Sequence, residues 1–205
     1  MRTFILLTIV LAICATTAFA QDTETEPANS PKIGVRLGLN RTVTHGANFD
    51  GGWRTGVNAG ITADFNLSKT WIVRPGVFFS SKGFSKVEVS GNDYKYEFNY
   101  LEVPVLVVCQ KAVGHNLSLE FQIGSYLSYG LCGKSEFIKE THSPYDYYLY
   151  YKTFDKFKRF DWGANIGVGA NISHFYIGAS YDFGFVNIIQ HALHHCVMAN
   201  VGYTF

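Results

Sequence analysis

From Lys32 to Phe205 an apolar side chain returns at every second residue, and that repeat leaves few folds open. Eight runs carry it: residues 33–39, 57–65, 71–79, 101–107, 117–123, 162–172, 175–183 and 197–205. Leu37, Ile61, Val77, Val103, Phe121, Val168, Ile177 and Val201 stand on the apolar parity, and no position of that parity carries a charge or an amide. A period of two belongs to strands, whose side chains point alternately to opposite faces. A helix would repeat at about 3.6.

The opposite parity is dressed unusually. It holds Gly34, Arg36, Gly38 and Asn40, then Asn58, Gly60, Thr62 and Asp64, and later Gly163, Asn165, Gly167, Gly169 and Asn171. A soluble sandwich also alternates, but its wet face normally carries Lys, Glu and Thr. Glycine inside a strand is unfavourable unless space is tight, as it is in the narrow lumen of an eight-stranded barrel. Runs of about ten residues also exceed the usual soluble strand and match a tilted crossing of a bilayer. In lipid an open sheet edge has no water to satisfy it, so the sheet must close. The expectation is an all-β fold: a closed, eight-stranded antiparallel up-and-down transmembrane β-barrel of meander topology, over residues 32–205.

The amino terminus reads as an address. Arg2 precedes the apolar stretch 4–13, and Ala18-Phe19-Ala20 ends it, which is the layout of a cleaved secretory signal peptide over residues 1–20. Residues 21–31 (QDTETEPANSP) have no large apolar side chain and read as a flexible acidic leader. No apolar run is long enough for a membrane helix. With 16% charged residues and a net charge of +1, the chain lacks the basic footprint of a nucleic-acid binder.

Connections between the runs alternate in length. Residues 66–69, 110–116 and 172–174 are short, whereas 42–52, 82–93, 132–158 and 187–194 are long. Outer-membrane barrels have this asymmetry, with short periplasmic turns and long extracellular loops. It places Phe65, Trp71, Phe175, Tyr203 and Phe205 at the inner rim, and Phe79, Tyr129, Trp162, Tyr181 and Phe183 at the outer rim. Two aromatic girdles are what amphipathic rings form at the two interfaces.

Several segments together resemble the PorT-like "outer membrane protein beta-barrel domain" family of Gram-negative bacteria. They are YLEVPVL (100–106), GSYLSY (124–129), DWGANIGVGAN (161–171), YDFGFVNI (181–188) and the ending VGYTF (201–205). The resemblance implies a small, OmpX-like barrel in the outer membrane, without catalytic residues to carry over. It implies too that Tyr203 and Phe205 act as the signal read by the barrel assembly machinery. Some PorT-like members take part in secreting surface proteins.

Candidate chemistry is sparse. Arg36, Asp64, Arg74, Glu102, Glu120 and Asp182 share the lumen parity, and enclosed charges must pair or find water. They are expected to form a structural salt-bridge plug, the alternative being a polar pathway. His191, His194, His195 and Cys196 offer soft ligands, but with no second matching group the cluster reads as a polar loop, not a metal or haem site. Cys132 and Cys196 map to the extracellular end and Cys109 to the other; a Cys132–Cys196 disulfide is chemically allowed in an oxidising compartment, against which stands that their strands are not neighbours. The Ser–His adjacencies, Thr141-His142-Ser143 and Ser173-His174, have no orienting acid beside them.

The loop 132–158 carries Tyr145, Tyr147, Tyr148, Tyr150 and Tyr151, and is expected to extend the fifth and sixth strands as a hairpin. Tyrosine offers rigid contact area at low entropy cost, so this is candidate surface-binding material. The expected function is a non-enzymatic integral outer-membrane barrel, structural or surface-interacting through its extracellular loops. A secretion or transport accessory is the alternative, and a lipid-modifying enzyme a more distant one. Expected partners are outer-membrane lipid, the assembly machinery and a surface protein or glycan, with no nucleic acid and no cofactor.

Overall fold

The computed structural model describes residues 30–46, 49–89, 92–138, 151–152, 154, 157–187 and 192–205. The signal peptide, most of the leader and Tyr145, Tyr147, Tyr148 and Tyr150 lie outside the described residues, as do Thr141, His142, Ser143 and His191.

Eight long strands form one antiparallel sheet: β1 (Lys32–Gly46), β3 (Arg54–Asn66), β4 (Trp71–Val89), β5 (Asn92–Ala112), β6 (Leu117–Ile138), β8 (Phe160–Ile172), β9 (Phe175–Gly184) and β10 (Ala192–Thr204). Two-residue strands β2 (Phe49–Asp50) and β7 (Tyr151–Lys152) flank β1 and β6. Each long strand pairs with the next in sequence, and β1 pairs with β10 to close the barrel. Closure fixes Val35 opposite both Tyr203 and Ile61, and Leu39 opposite both Ala199 and Val57.

Alternation decides which way each residue faces. Leu37 and Leu39 are each 61% exposed, and Ile61, Val168, Ile177 and Val201 are over half exposed, while Arg36, Asn58, Arg74, Glu120 and Asp182 are buried. The apolar face is therefore the outside of the barrel and the polar face its core. The lipid-facing run 162–172, at about 3.3 Å per residue and a tilt of about 40°, rises about 25 Å, the height of an outer-membrane apolar band.

Strand lengths are uneven in a way the sequence reading missed. β4, β5 and β6 have 19, 21 and 22 residues, against 10 to 15 for the other long strands. The expected loop 82–93 is strand up to Val89 and again from Asn92. Of the expected hairpin extension, β6 runs on to Ile138 with β5 along one edge, and β7 meets Lys134 and Ser135 antiparallel on the other; residues 139–150 between them lie outside the described residues. Tyrosines and phenylalanines at 94, 96, 98 and 100 favour strand, and cross-strand pairing with β4 and β6 carries strand through the segment expected as a loop.

Register shifts at Phe84/Val87 and at Asn99/Tyr100 mark where this three-stranded extension leaves the barrel wall. Such shifts bend a strand and increase its twist. Gly83 at that bend has φ 153°, and a Cβ there would run into the Tyr96 carbonyl oxygen, so only glycine fits.

Candidate functional site

The lumen is filled by two ionic clusters stacked along the axis. Nearer the short turns, Arg74 on β4 forks onto Asp64 of β3, with Nε donating to Oδ1 at 2.6 Å and Nη2 to Oδ2 at 2.8 Å. Its other edge donates to Glu120 of β6, Nη1 to Oε1 at 2.6 Å and Nη2 to Oε2 at 3.1 Å. Asn171 Nδ2 adds a donor to Glu120 Oε2 at 2.8 Å. Arg36 Nη2 stands 3.7 Å from Glu120 Oε1, and its guanidinium lies 3.7 Å over the Tyr176 ring. Two guanidinium groups thus meet two carboxylates, a balance that suits an enclosed site. Gly169 and Gly178 flank the Tyr176 ring, and a Cβ on either would collide with it. These glycines make the slot in which the ring crosses the lumen.

The second cluster centres on Lys82. Its Nζ donates to Glu102 Oε2 at 2.5 Å and to Asp182 Oδ2 at 3.0 Å, and lies 4.6 Å over the Tyr126 ring. Ser128 Oγ donates to Glu102 at 2.9 Å and Asn165 Nδ2 to Asp182 at 2.6 Å. Tyr126 donates to buried Asp161 at 3.4 Å. Between the clusters lies a cavity of about 40 Å³ lined by Asn58, Gln122, Asn165 and Met198 among others. That is room for two or three waters, not an aqueous channel.

Aromatic rings cap the lumen at the long-loop end. Phe84, Phe98, Tyr100 and Phe154 form a buried cluster, with Tyr96 and Phe157 packed against it. Phe154 and Phe157 come from the segment between β7 and β8, and their rings lie 5.6 and 5.2 Å from that of Phe98. The segment is pinned to β6: Gly130 N donates to the Arg159 carbonyl at 2.7 Å, and Arg159 Nη1 donates to the Gly130 carbonyl at 3.0 Å.

The six charged residues expected in the lumen are all there, and the structure joins them into these clusters. Sequence reasoning missed Lys82, because the strand was ended at Phe79, and passed over Tyr126, Asp161 and Tyr176. Parity was the signal that could have found them, since all three tyrosine and aspartate positions fall on the lumen face of their strands.

The histidine group is divided by the same alternation. His194 and Cys196 point inward and are buried, whereas His195 lies against Tyr181 and Phe183 on the outer face, its ring 6.0 and 6.1 Å from theirs. Among the described residues no set of three His, Cys, Asp or Glu could hold a metal ion. Cys132 is exposed and Cys196 buried in the lumen, and both are free thiols, as is Cys109. Ser173 and His174 approach within 3.1 Å in the exposed turn before β9, where, among the described residues, no carboxylate accepts from His174. Tyr203 and Phe205 stand at the short-turn end, their rings 5.1 Å apart.

The sequence pattern described as "Outer membrane protein beta-barrel domain" matches residues 19–190. No curated protein matches the chain. Among solved structures, the chain is similar to Ail, the attachment invasion locus protein of Yersinia pestis, at 18% identity and a TM-score of 0.47, over 86% of this chain and 99% of that one. It is similar to Neisserial surface protein A at 12% identity and a TM-score of 0.47, over 84% and 97%. It is also similar to the outer membrane enzyme PagL at 9% identity and a TM-score of 0.46, over 81% and 98%.

Proposed function

The chain belongs to the outer membrane protein beta-barrel domain family, and on that premise we propose that it is a non-enzymatic barrel whose work is done at the cell surface. One contrast carries the reading. The lumen is stoppered by ion pairs and aromatic rings, while β4, β5 and β6 outrun the rest of the wall on the long-loop side. Material invested beyond the membrane, above a closed interior, suits contact with a partner better than passage of a solute. The loop that follows β6, with Tyr145, Tyr147, Tyr148, Tyr150 and Tyr151, supplies the aromatic contact area for a surface protein or glycan.

Cells displaying the full chain and cells displaying a variant lacking residues 139–150 are compared for capture of surface proteins and glycans. The expected result is loss of capture with an intact barrel. Equal capture by both would contradict the reading. The resemblance of residues 100–106, 124–129, 161–171, 181–188 and 201–205 together to PorT-like barrels supports a second reading, an accessory of protein secretion, for which the readout is the amount of exported surface protein after deletion of the whole chain.

A further inference from the structure

Arg41, a cation on the outer wall, has no carboxylate partner among the described residues. Of the five arginines among the described residues, Arg36, Arg54 and Arg74 pair with carboxylates, and Arg159 donates to a backbone carbonyl. Arg41 has neither. It lies on the outward face of β1, exposed, directly above Leu37 and Leu39 on the same face, which are lipid-facing. Its guanidinium sits 5.4 Å over the ring of Trp53, itself 47% exposed.

Register fixes the height of this pair. Arg41 stands opposite Val197 of β10, and Val197 opposite Tyr181 of β9. The next outward residue of β10 is His195, opposite Phe183, so Arg41 lies at the level of the outer aromatic rim. Asp50 stands opposite His45, further up β1. Arg41 is thus a forked, permanently charged donor, stacked on an indole, where the apolar band gives way to headgroups.

We propose that Arg41, braced by Trp53, is a binding site for the phosphate of an outer-leaflet lipid headgroup. Guanidinium groups bind phosphate through two parallel hydrogen bonds, and Trp53 holds the fork in place at little entropy cost. The ligand is membrane-borne, because both side chains are exposed and Arg41 continues the lipid-facing row of Leu37 and Leu39 on β1. This site is separate from the loop invoked for surface contact and stands or falls without it.

The test uses the full mature chain in nanodiscs of neutral phosphatidylcholine, titrated with bisphosphorylated lipid A, with dephosphorylated lipid A, or with inorganic phosphate, and read by native mass spectrometry. The intact chain should retain phosphorylated lipid A in preference to the dephosphorylated form. Arg41→Ala should weaken that retention about tenfold, the effect of one charge-assisted pair, and Lys111→Ala, an exposed cation at the other end, should not. The heat-induced gel shift reports whether each variant is folded, and Arg41→Lys, which keeps charge but not the fork, should fall between. Equal retention by Arg41→Ala would overturn the site. Equal retention of the dephosphorylated lipid would overturn the phosphate. Displacement by millimolar inorganic phosphate would overturn the lipid as its source.

Discussion

Lys82 Nζ lies 2.5 Å from Glu102 Oε2 in the centre of the barrel, with both side chains almost wholly shielded from water. A second acid, Asp182, shares the same ammonium at 3.0 Å. Removing the cation leaves two carboxylates with no donor of comparable strength. Lys82→Met should therefore destabilise the barrel by about 3–5 kcal/mol, as breaking buried pairs does. Unfolding in detergent, followed by the heat-induced gel shift, measures it. The triple change Lys82→Met, Glu102→Gln and Asp182→Asn should recover much of the loss.

Arg74 differs from Lys82 in using geometry as well as charge. Four of its five N–H donors serve Asp64 and Glu120 together. Arg74→Lys keeps the charge and cannot fork, so it should lose about 1–3 kcal/mol. Equal denaturation midpoints for the two proteins would show that charge alone suffices.

The glycines of β8 and β9 are spatial requirements. Gly169→Val would push against the Tyr176 ring on which Arg36 rests, and should destabilise by about 1–3 kcal/mol through overpacking. Adding Tyr176→Ala to Gly169→Val should relieve part of that loss, which a double-mutant cycle reads directly.

Thiol chemistry reports the aromatic cap. Cys132 is exposed and Cys196 lies in the lumen below Phe154 and its neighbours. A membrane-impermeant maleimide applied to whole cells should label Cys132 quickly and leave Cys196 unmodified. Phe154→Ala removes a ring from the cap and should make Cys196 reactive to small thiosulfonates. Intact-mass analysis should find the two thiols unbridged.

Much of this was legible in the residues themselves. Ile33 to Leu39 and Trp162 to Ile172 announced the outward face, because burial in lipid tolerates no charge, and Arg36 and Arg74 followed as lumen residues by parity alone. The hidden part sits where local chemistry and tertiary pairing disagree. The apolar run ends at Phe79 and 82–93 reads as a long connection, yet Ser80, Ser81 and Lys82 pair with Tyr100, Asn99 and Phe98 and carry the strand onward. The ring of Phe154 could not be placed from sequence, since a loop returning over a barrel mouth leaves no periodic trace.

The central claim is that β8 and its neighbours turn alternate side chains to hydrocarbon and to a packed core. Single cysteines at positions 162–172, placed in a background without native cysteines, can each carry a nitroxide in native outer membranes. Collision with oxygen, which dissolves in lipid, is then compared with collision with a water-soluble nickel chelate. The account predicts a period-two oscillation, with oxygen maxima and nickel minima at Ala164, Ile166, Val168 and Ala170, and neither reagent reaching Asn165 and Gly167 well. A flat profile, or nickel access at Ile166 and Val168, would contradict it.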